Sequence, residues 1–244
     1  MQDTVENFQK DLTSHTIIEM ETKTQKKDFF NPGVTVDVVI FTIEDGKLKI
    51  ILIDRQKEPF KGFTALPGGF MIKGETSKDT AKRVLKEKAG VNDIYIEQLF
   101  TFDSLNRDPR GQILSIAYFA LVPKEEIKIK SASENPELIS IGEISRLPFD
   151  HNQIINYALK RLSDKVQYSN IIYSLLPKYF SLTNLQKIYE IILQRKIDKR
   201  NFRKKILGLD ILKQSKEIIT GKRQRPAKLY SFKSKKFQEL NKFI

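Results

Sequence analysis

Four side chains in one short stretch, Glu75, Arg83, Glu87 and Lys88, have the types and spacing to handle a charged ligand. They belong to Gly69-Phe-Met-Ile-Lys-Gly-Glu75, seven further residues, and then Arg83-Val-Leu-Lys-Glu87-Lys-Ala-Gly90-Val91. Carboxylate oxygens are the usual donors for a hard divalent cation, and Glu75 with Glu87 could hold one weakly bound magnesium ion. The same two residues serve as ordinary surface carboxylates if Glu87 pairs with Arg83 four positions before it. Positions 84, 87 and 88 lie one turn apart on one helix face. Val84 is neutral there and Glu87 and Lys88 cancel, which leaves little attraction for a cation. A second group is wholly cationic: Lys199, Arg200, Arg203 and Lys204, followed by Lys222, Arg223 and Arg225. Lys and Arg in that density contact phosphates or base edges of nucleic acid.

The elements that must hold these groups differ along the chain. Residues 34–43 and 48–53 are β-rich runs separated by Glu44-Asp45-Gly46-Lys47, a hairpin signal. Residues 76–89 are rich in helix formers and stop at Gly90, and two more apolar runs, 94–102 and 113–122, flank the Arg107-Asp108-Pro109-Arg110 turn. Residues 123–140 are polar and read as a surface connection. After Pro148 the pattern becomes helical. Asp150 is placed to cap a helix to about residue 165, residues 168–176 form a shorter helix, and Thr183 opens a capping box for a helix presenting Leu185, Ile188, Tyr189 and Ile192 on one face. Asp198 caps a third helix over 199–207, with Phe202 and Ile206 inward and its basic residues outward, ended by Gly208. Two short strands, 217–220 and 228–232, then enclose a basic loop, so the last part reads as a winged helix.

Charge is segregated in the same way. Residues 151–244 hold 22 Lys and Arg against 6 Asp and Glu, a net of +16, whereas residues 1–150 carry a net of −3. A generally lysine-rich composition would raise both parts alike, so the segregation points to a polyanionic partner for the second part. A membrane surface is the poorer candidate, because the apolar residues of each helix are needed for a small core and none is left as an exposed greasy face. The chain has no cysteine, hence neither a disulfide framework nor a thiolate zinc site. No apolar run approaches the roughly 20 residues that span a bilayer, and the N-terminus lacks the order of a signal peptide, so a cytoplasmic protein is expected.

The 69–91 segment resembles the Nudix box, whose pattern is G, five residues, E, seven residues and REuxEExGu with u apolar. In that family the carboxylates hold metal against a pyrophosphate and activate water. Where the pattern has glutamates at 84, 87 and 88, this chain has only Glu87. The box is therefore expected to keep its fold and catalyse poorly: Glu75, Arg83 and Glu87 become vestigial, and no catalytic or metal site is required. An ammonium at Lys88, where metal would sit, is expected to pair directly with a ligand's pyrophosphate.

Further landmarks extend the resemblance: Leu66-Pro67-Gly68-Gly69-Phe70, residues 96–102, Arg107-Asp108-Pro109-Arg110, Phe149-Asp150-His151, Phe180-Ser181-Leu182, Leu185-Gln186 and Arg225-Pro226-Ala227-Lys228-Leu229-Tyr230. Together they resemble the Nudix-related transcriptional regulators of NAD metabolism, the NrtR family. That resemblance implies an α/β (α+β) chain: a Nudix-like mixed-sheet α/β/α sandwich over residues 1–150, the first 30 being an extension, then a winged helix-turn-helix domain over 151–244. It implies a homodimeric repressor of NAD-biosynthesis genes that answers to ADP-ribose as effector, needs no cofactor and binds an approximately palindromic double-stranded operator. A related branch senses a pentose. The competing readings are a working ADP-ribose pyrophosphatase with an appended DNA-binding domain, and an RNA-binding protein. By the same resemblance the ligand lies against Gly68 and Gly69, with Lys88, Arg55, Arg107 and Arg110 as further contacts. The plainer alternative has Arg55 covering a strand end and Asp108 holding its own turn. His151 is expected to order the linker rather than catalyse.

Overall fold

Val36 to Phe41 is almost unbroken in apolar character, which suits a strand covered on both faces. In the computed structural model, which describes residues 31–92, 94–128, 134–219, 227–241 and 244, this run lies inside β1 (Gly33–Glu44) at the middle of the first sheet. β1 pairs antiparallel with β2 (Lys47–Asp54) and parallel with β6 (Ile113–Leu121), and β5 (Tyr95–Phe102) lies antiparallel on the far side of β6. The expected hairpin is present, with Asp45 at φ 53° and Gly46 at φ 71°, the left-handed pair that a tight two-residue turn requires. Three short strands complete the sheet: β3 (Thr64–Ala65) and β7 (Glu137–Ser140) on β2, and β4 (Gly68–Phe70) on β1.

The alternation of side chains along β1 sends Val36, Val38 and Ile40 to one face and Val39 and Phe41 to the other. Helix α1 (Ser77–Ala89) covers the first face with Ala81, Val84 and Leu85. Thr76 caps it by a reciprocal bond with Asp79, and Gly90 ends it at φ 68°, where any side chain would collide with the Lys128 carbonyl. Helix α2 (His151–Lys165) covers the second face with Ile154, Ile155, Ala158 and Leu162, giving an α/β/α sandwich. The apolar cluster under α2 continues without a break into the C-terminal part, through Leu185, Tyr189, Phe202 and Ile206. There α3 (Leu182–Leu193) and α4 (Lys199–Gly208) pack with a sheet of β8 (Phe180–Ser181), β10 (Ala227–Phe232) and β9 (Leu212–Ile219), the winged helix-turn-helix arrangement. Among the described residues no helix is long and apolar enough to cross a membrane.

Several local expectations are corrected. The helix expected over 168–176 is reduced to a 3-10 turn, Ile171–Leu175, because the Asn170 side chain bonds the Lys236 carbonyl and the Gln238 N–H and takes the chain out of helical geometry. Ser181, not Thr183, caps α3: β8 pairs with β10 and delivers the Ser181 hydroxyl to the Asn184 N–H. Asp150 stands at the head of α2 but makes no capping bond, since its carboxylate is held elsewhere. Gly208 is the last residue of α4 rather than its stop, and β9 starts five residues earlier than expected. The polar connection 123–140 contains β7.

Candidate ligand cleft and nucleic-acid interface

A cleft of about 350 Å³ opens at the end of the first sheet where β4, the loop after β2, the 107–110 turn and the start of α2 meet. Five of the six expected ligand contacts line it: Arg55, Gly68, Gly69, Arg107 and Arg110. Lys88 does not. Its ammonium pairs with the Glu134 carboxylate, and Glu134 is itself part of the cleft wall.

Gly68 is required by space. A Cβ there would collide with Asp37 Oδ1 and lie 2.9 Å from the Val36 carbonyl, so only glycine lets β4 run so close to β1. Asp37 is buried in a strand of apolar residues and accepts from the Ser115 hydroxyl at 2.6 Å. The Arg107 guanidinium, with its side chain only 3% exposed, donates to both oxygens of Asp150 at 2.7 and 2.9 Å and lies 3.6 Å from Asp37. Its partner is thus the head of α2 and not the adjacent Asp108. Burial opposes its charge, and the Asp150 bonds together with the carboxylates of Asp37 and Asp108 outweigh it, raising the Arg107 pKa above the usual arginine value.

His151 is also buried. The Leu66 N–H donates to its Nδ1 at 3.1 Å, and Nε2 lies 3.8 Å from Asp37. Burial lowers its pKa, so the imidazole is neutral and acts as an acceptor joining α2 to the β3–β4 connection.

Aromatic rings form the remaining wall. Arg55 lies 4.8 Å from the Phe149 ring centre, and Arg110 lies 5.0 Å from that of Phe70 and 5.9 Å from that of Phe149. Phe149 itself is held at φ 57°, a conformation costly for a bulky side chain and found mostly at functional sites. Arg110 donates to Asp108 at 2.6 and 2.9 Å, whereas Arg55 donates to the backbone carbonyls of Pro59 and Lys57. Two guanidinium groups, Arg55 and Arg110, on aromatic and glycine surface suit an anionic ligand with flat rings, which a pyrophosphate carrying a nucleoside provides.

The box carboxylates are arranged otherwise. Arg83 donates to Glu75 at 2.8 and 3.0 Å and to the Phe70 carbonyl at 3.0 Å, and its other nitrogen lies 3.8 Å from Glu87. The Arg83 bonds hold the Glu75 pKa down to about 2. Val84 is buried in the core against Gly69, and Lys88 is neutralised by Glu134. These residues do not fit a catalytic divalent cation: the carboxylates already share a guanidinium, and an apolar and a cationic side chain fill the other two places. Phe70, Phe149 and Asp150 stood among the sequence landmarks without a place in the cleft, and Asp37, a lone charge in an apolar strand, was not singled out at all.

In the C-terminal part, α4 buries Phe202 and Ile206 and exposes Lys199, Arg200, Arg203 and Lys204, together with Lys205. Asp198 caps it through the Asn201 N–H at 2.8 Å. Lys222, Arg223 and Arg225 lie outside the described residues.

The NUDIX domain profile matches residues 32–162, and that of the NrtR DNA-binding winged helix domain matches 172–232. An ADPR responsive transcriptional repressor, NtrR, of Acinetobacter baylyi is 37% identical over 214 residues, 85% of each chain. This chain belongs to the NrtR family of Nudix-related transcriptional regulators. The NrtR of Shewanella oneidensis, solved with a 27mer DNA, is 35% identical with a TM-score of 0.75, covering 82% of this chain and 93% of that one. The Nudix domain of the same NrtR, solved with ADP ribose, is 35% identical with a TM-score of 0.52, covering 62% of this chain and 99% of that one. An ADP-ribose pyrophosphatase of Methanocaldococcus jannaschii is 36% identical over 127 residues, 52% of this chain and 73% of its own. Membership in the NrtR family accounts for both halves of the molecule, a Nudix fold followed by a winged helix.

Proposed function

We propose that this chain is a transcriptional repressor that binds double-stranded DNA through its winged helix and answers to ADP-ribose held in the cleft between β4, the 107–110 turn and the start of α2. The observation that carries this reading is the meeting of Arg55, Arg107 and Arg110 with Gly68 and Gly69 in one cleft of a chain that matches an ADPR responsive repressor along most of its length. In it, residues 1–150 serve as effector domain and 151–244 as DNA reader. Arg55 and Arg110 face the pyrophosphate, the Gly68-Gly69 backbone allows close approach of phosphate oxygens, and Phe149 or Phe70 stacks on the base. Lys88 acts through Glu134 or after releasing it. Lys199, Arg200, Arg203 and Lys204 contact the operator, with Lys222, Arg223 and Arg225 from the wing. The protein is cytoplasmic and homodimeric, in keeping with an approximately palindromic operator of NAD-biosynthesis genes.

Binding without hydrolysis follows from the charge at the box, and no metal is required for it. Calorimetry of the full chain with ADP-ribose tests this: binding undiminished by EDTA, weakened by Arg55→Ala and Arg110→Ala, and without release of AMP is the expected result. Metal-dependent turnover to AMP and ribose 5-phosphate would favour the pyrophosphatase reading instead. Gel shift with duplex DNA and with RNA of the same sequence separates the two nucleic-acid readings, retention of the duplex alone being expected.

A further inference from the structure

A second cavity, of about 450 Å³, shares no lining residue with the cleft and lies at the seam between the Nudix sheet and the winged helix. Its walls come from distant parts of the chain: Lys78 and Lys82 from α1, Tyr95 from β5, Ser174 from the 3-10 turn Ile171–Leu175, and Lys235 after β10. The rest of the lining is mostly apolar, with Glu126 the single acidic residue, so the cavity carries a net formal charge of +2 over a greasy floor. None of the three lysines is engaged in an ion pair among the described residues, in contrast to Lys88 and Lys165, which are both held by glutamates. They sit on one mouth because Lys78 and Lys82 are four residues apart on α1 and Lys235 is brought over by the chain after β10.

Ser174 supplies an independent observation. Its side chain is buried, the residue being 7% exposed, and its hydroxyl has no hydrogen-bond partner among the described residues. Buried hydroxyls nearly always find one, so an orphan beneath a cavity wall asks for a partner from outside. Three ammonium groups without ion-pair partners among the described residues on a mostly apolar lining, with a buried hydroxyl in one lining residue, match a small molecule that has an oxygen-rich anionic head and an apolar body. Three cations against one carboxylate favour a dianionic phosphate over a single carboxylate.

We propose that this cavity is a second ligand site, specific for a small organic phosphate, and separate from the ADP-ribose cleft. The phosphate lies among Lys78, Lys82 and Lys235, the body rests on Tyr95 and its apolar neighbours, and the Ser174 hydroxyl donates to the ligand after a rotation of its own torsion. Because Lys78 and Lys82 belong to the Nudix domain and Ser174 and Lys235 to the winged-helix part, a ligand here ties the two together.

Phenyl phosphate is a suitable probe, measured by calorimetry on the full chain, with benzoate and phenol as the singly charged and neutral controls. One phenyl phosphate per chain is expected at this site. Its affinity should fall about tenfold in Lys78→Glu/Lys82→Glu and about threefold in Ser174→Ala, and be unchanged in Arg55→Ala/Arg110→Ala, which alters only the first cleft. Both lysines are exposed, so their double variant should fold as the parent does, which circular dichroism confirms. The proposal is overturned if phenyl phosphate fails to bind at millimolar concentration, if phenol or benzoate binds as well, or if the cleft variant rather than the lysine variant abolishes binding. The last outcome would leave the ADP-ribose reading standing.

Discussion

Arg107 and Asp150 meet in a two-pronged ion pair, 2.7 and 2.9 Å, that joins the ligand cleft to the first turn of α2. Their side chains are only 3% and 9% exposed, so the pair is little screened by solvent, and among the described residues the next carboxylate, Asp37, stands 3.6 Å from the guanidinium. α2 runs from there to Arg161 and Lys165, which both grip Glu97 of β5, and its apolar face is part of the core that reaches α3. One rigid helix thus touches the ligand cleft at one end and the base of the DNA reader along its length.

Asp150→Asn is expected to lower stability by about 3 kcal/mol, since removing one charge of a buried pair strands the other. Denaturant titration checks the magnitude. The same variant should bring the ratio of DNA dissociation constants with and without saturating ADP-ribose close to one, as read by fluorescence anisotropy. A ratio equal to the parent's would mean that the helix head plays no part in the response.

Gly68→Ala adds one methyl group against Asp37 and the Val36 carbonyl. A loss of about 1 to 3 kcal/mol is expected from overpacking, with ADP-ribose binding lost and DNA binding at 25 °C retained. Unimpaired ADP-ribose binding in calorimetry would show that β4 does not form the floor on which the ligand rests.

His151 gives the fold a pH dependence of known sign. Burial holds the folded pKa below the ordinary 6.5, so the unfolded chain takes up the proton first as pH falls. Stability contributed by the neutral ring is complete above about pH 6.5 and declines below it. Urea midpoints at pH 7.5 and 5.5 should differ more for the parent than for His151→Asn, which keeps an acceptor for the Leu66 N–H and does not titrate.

Arg200→Ala/Arg203→Ala should weaken duplex binding and flatten its salt dependence by about 0.9 in log K against log salt for each phosphate contact removed. An unchanged slope would move the recognition surface off α4.

The fold was legible where periodicity is long. β1, β2, α1 and α2 lie within a residue or two of their expected bounds because their apolar faces repeat over many residues and Asp45-Gly46, Thr76 and Gly90 punctuate them. β3, β4, β7 and β8 are two to four residues long and owe their existence to a partner strand, which local pattern cannot reveal. The site divided in the same way. Arg55, Gly68, Gly69, Arg107 and Arg110 could be named because charge and glycine are visible one residue at a time. That Arg107 would choose Asp150, 43 positions away, over the neighbouring Asp108 could not, because the choice depends on where α2 begins in space. Lys88 lost its expected place to a similar long-range contact with Glu134.

The apolar cluster that begins under Val39 and Phe41 and ends at Phe202 and Ile206 joins the two halves of the molecule through one continuous interior. Its two halves should therefore melt as one thermal event, and any ligand bound by the first should raise the melting temperature of the second by the same amount. A change in the cleft is therefore expected to reach the DNA-reading half as the tilt of a solid lever and not as its release on a tether.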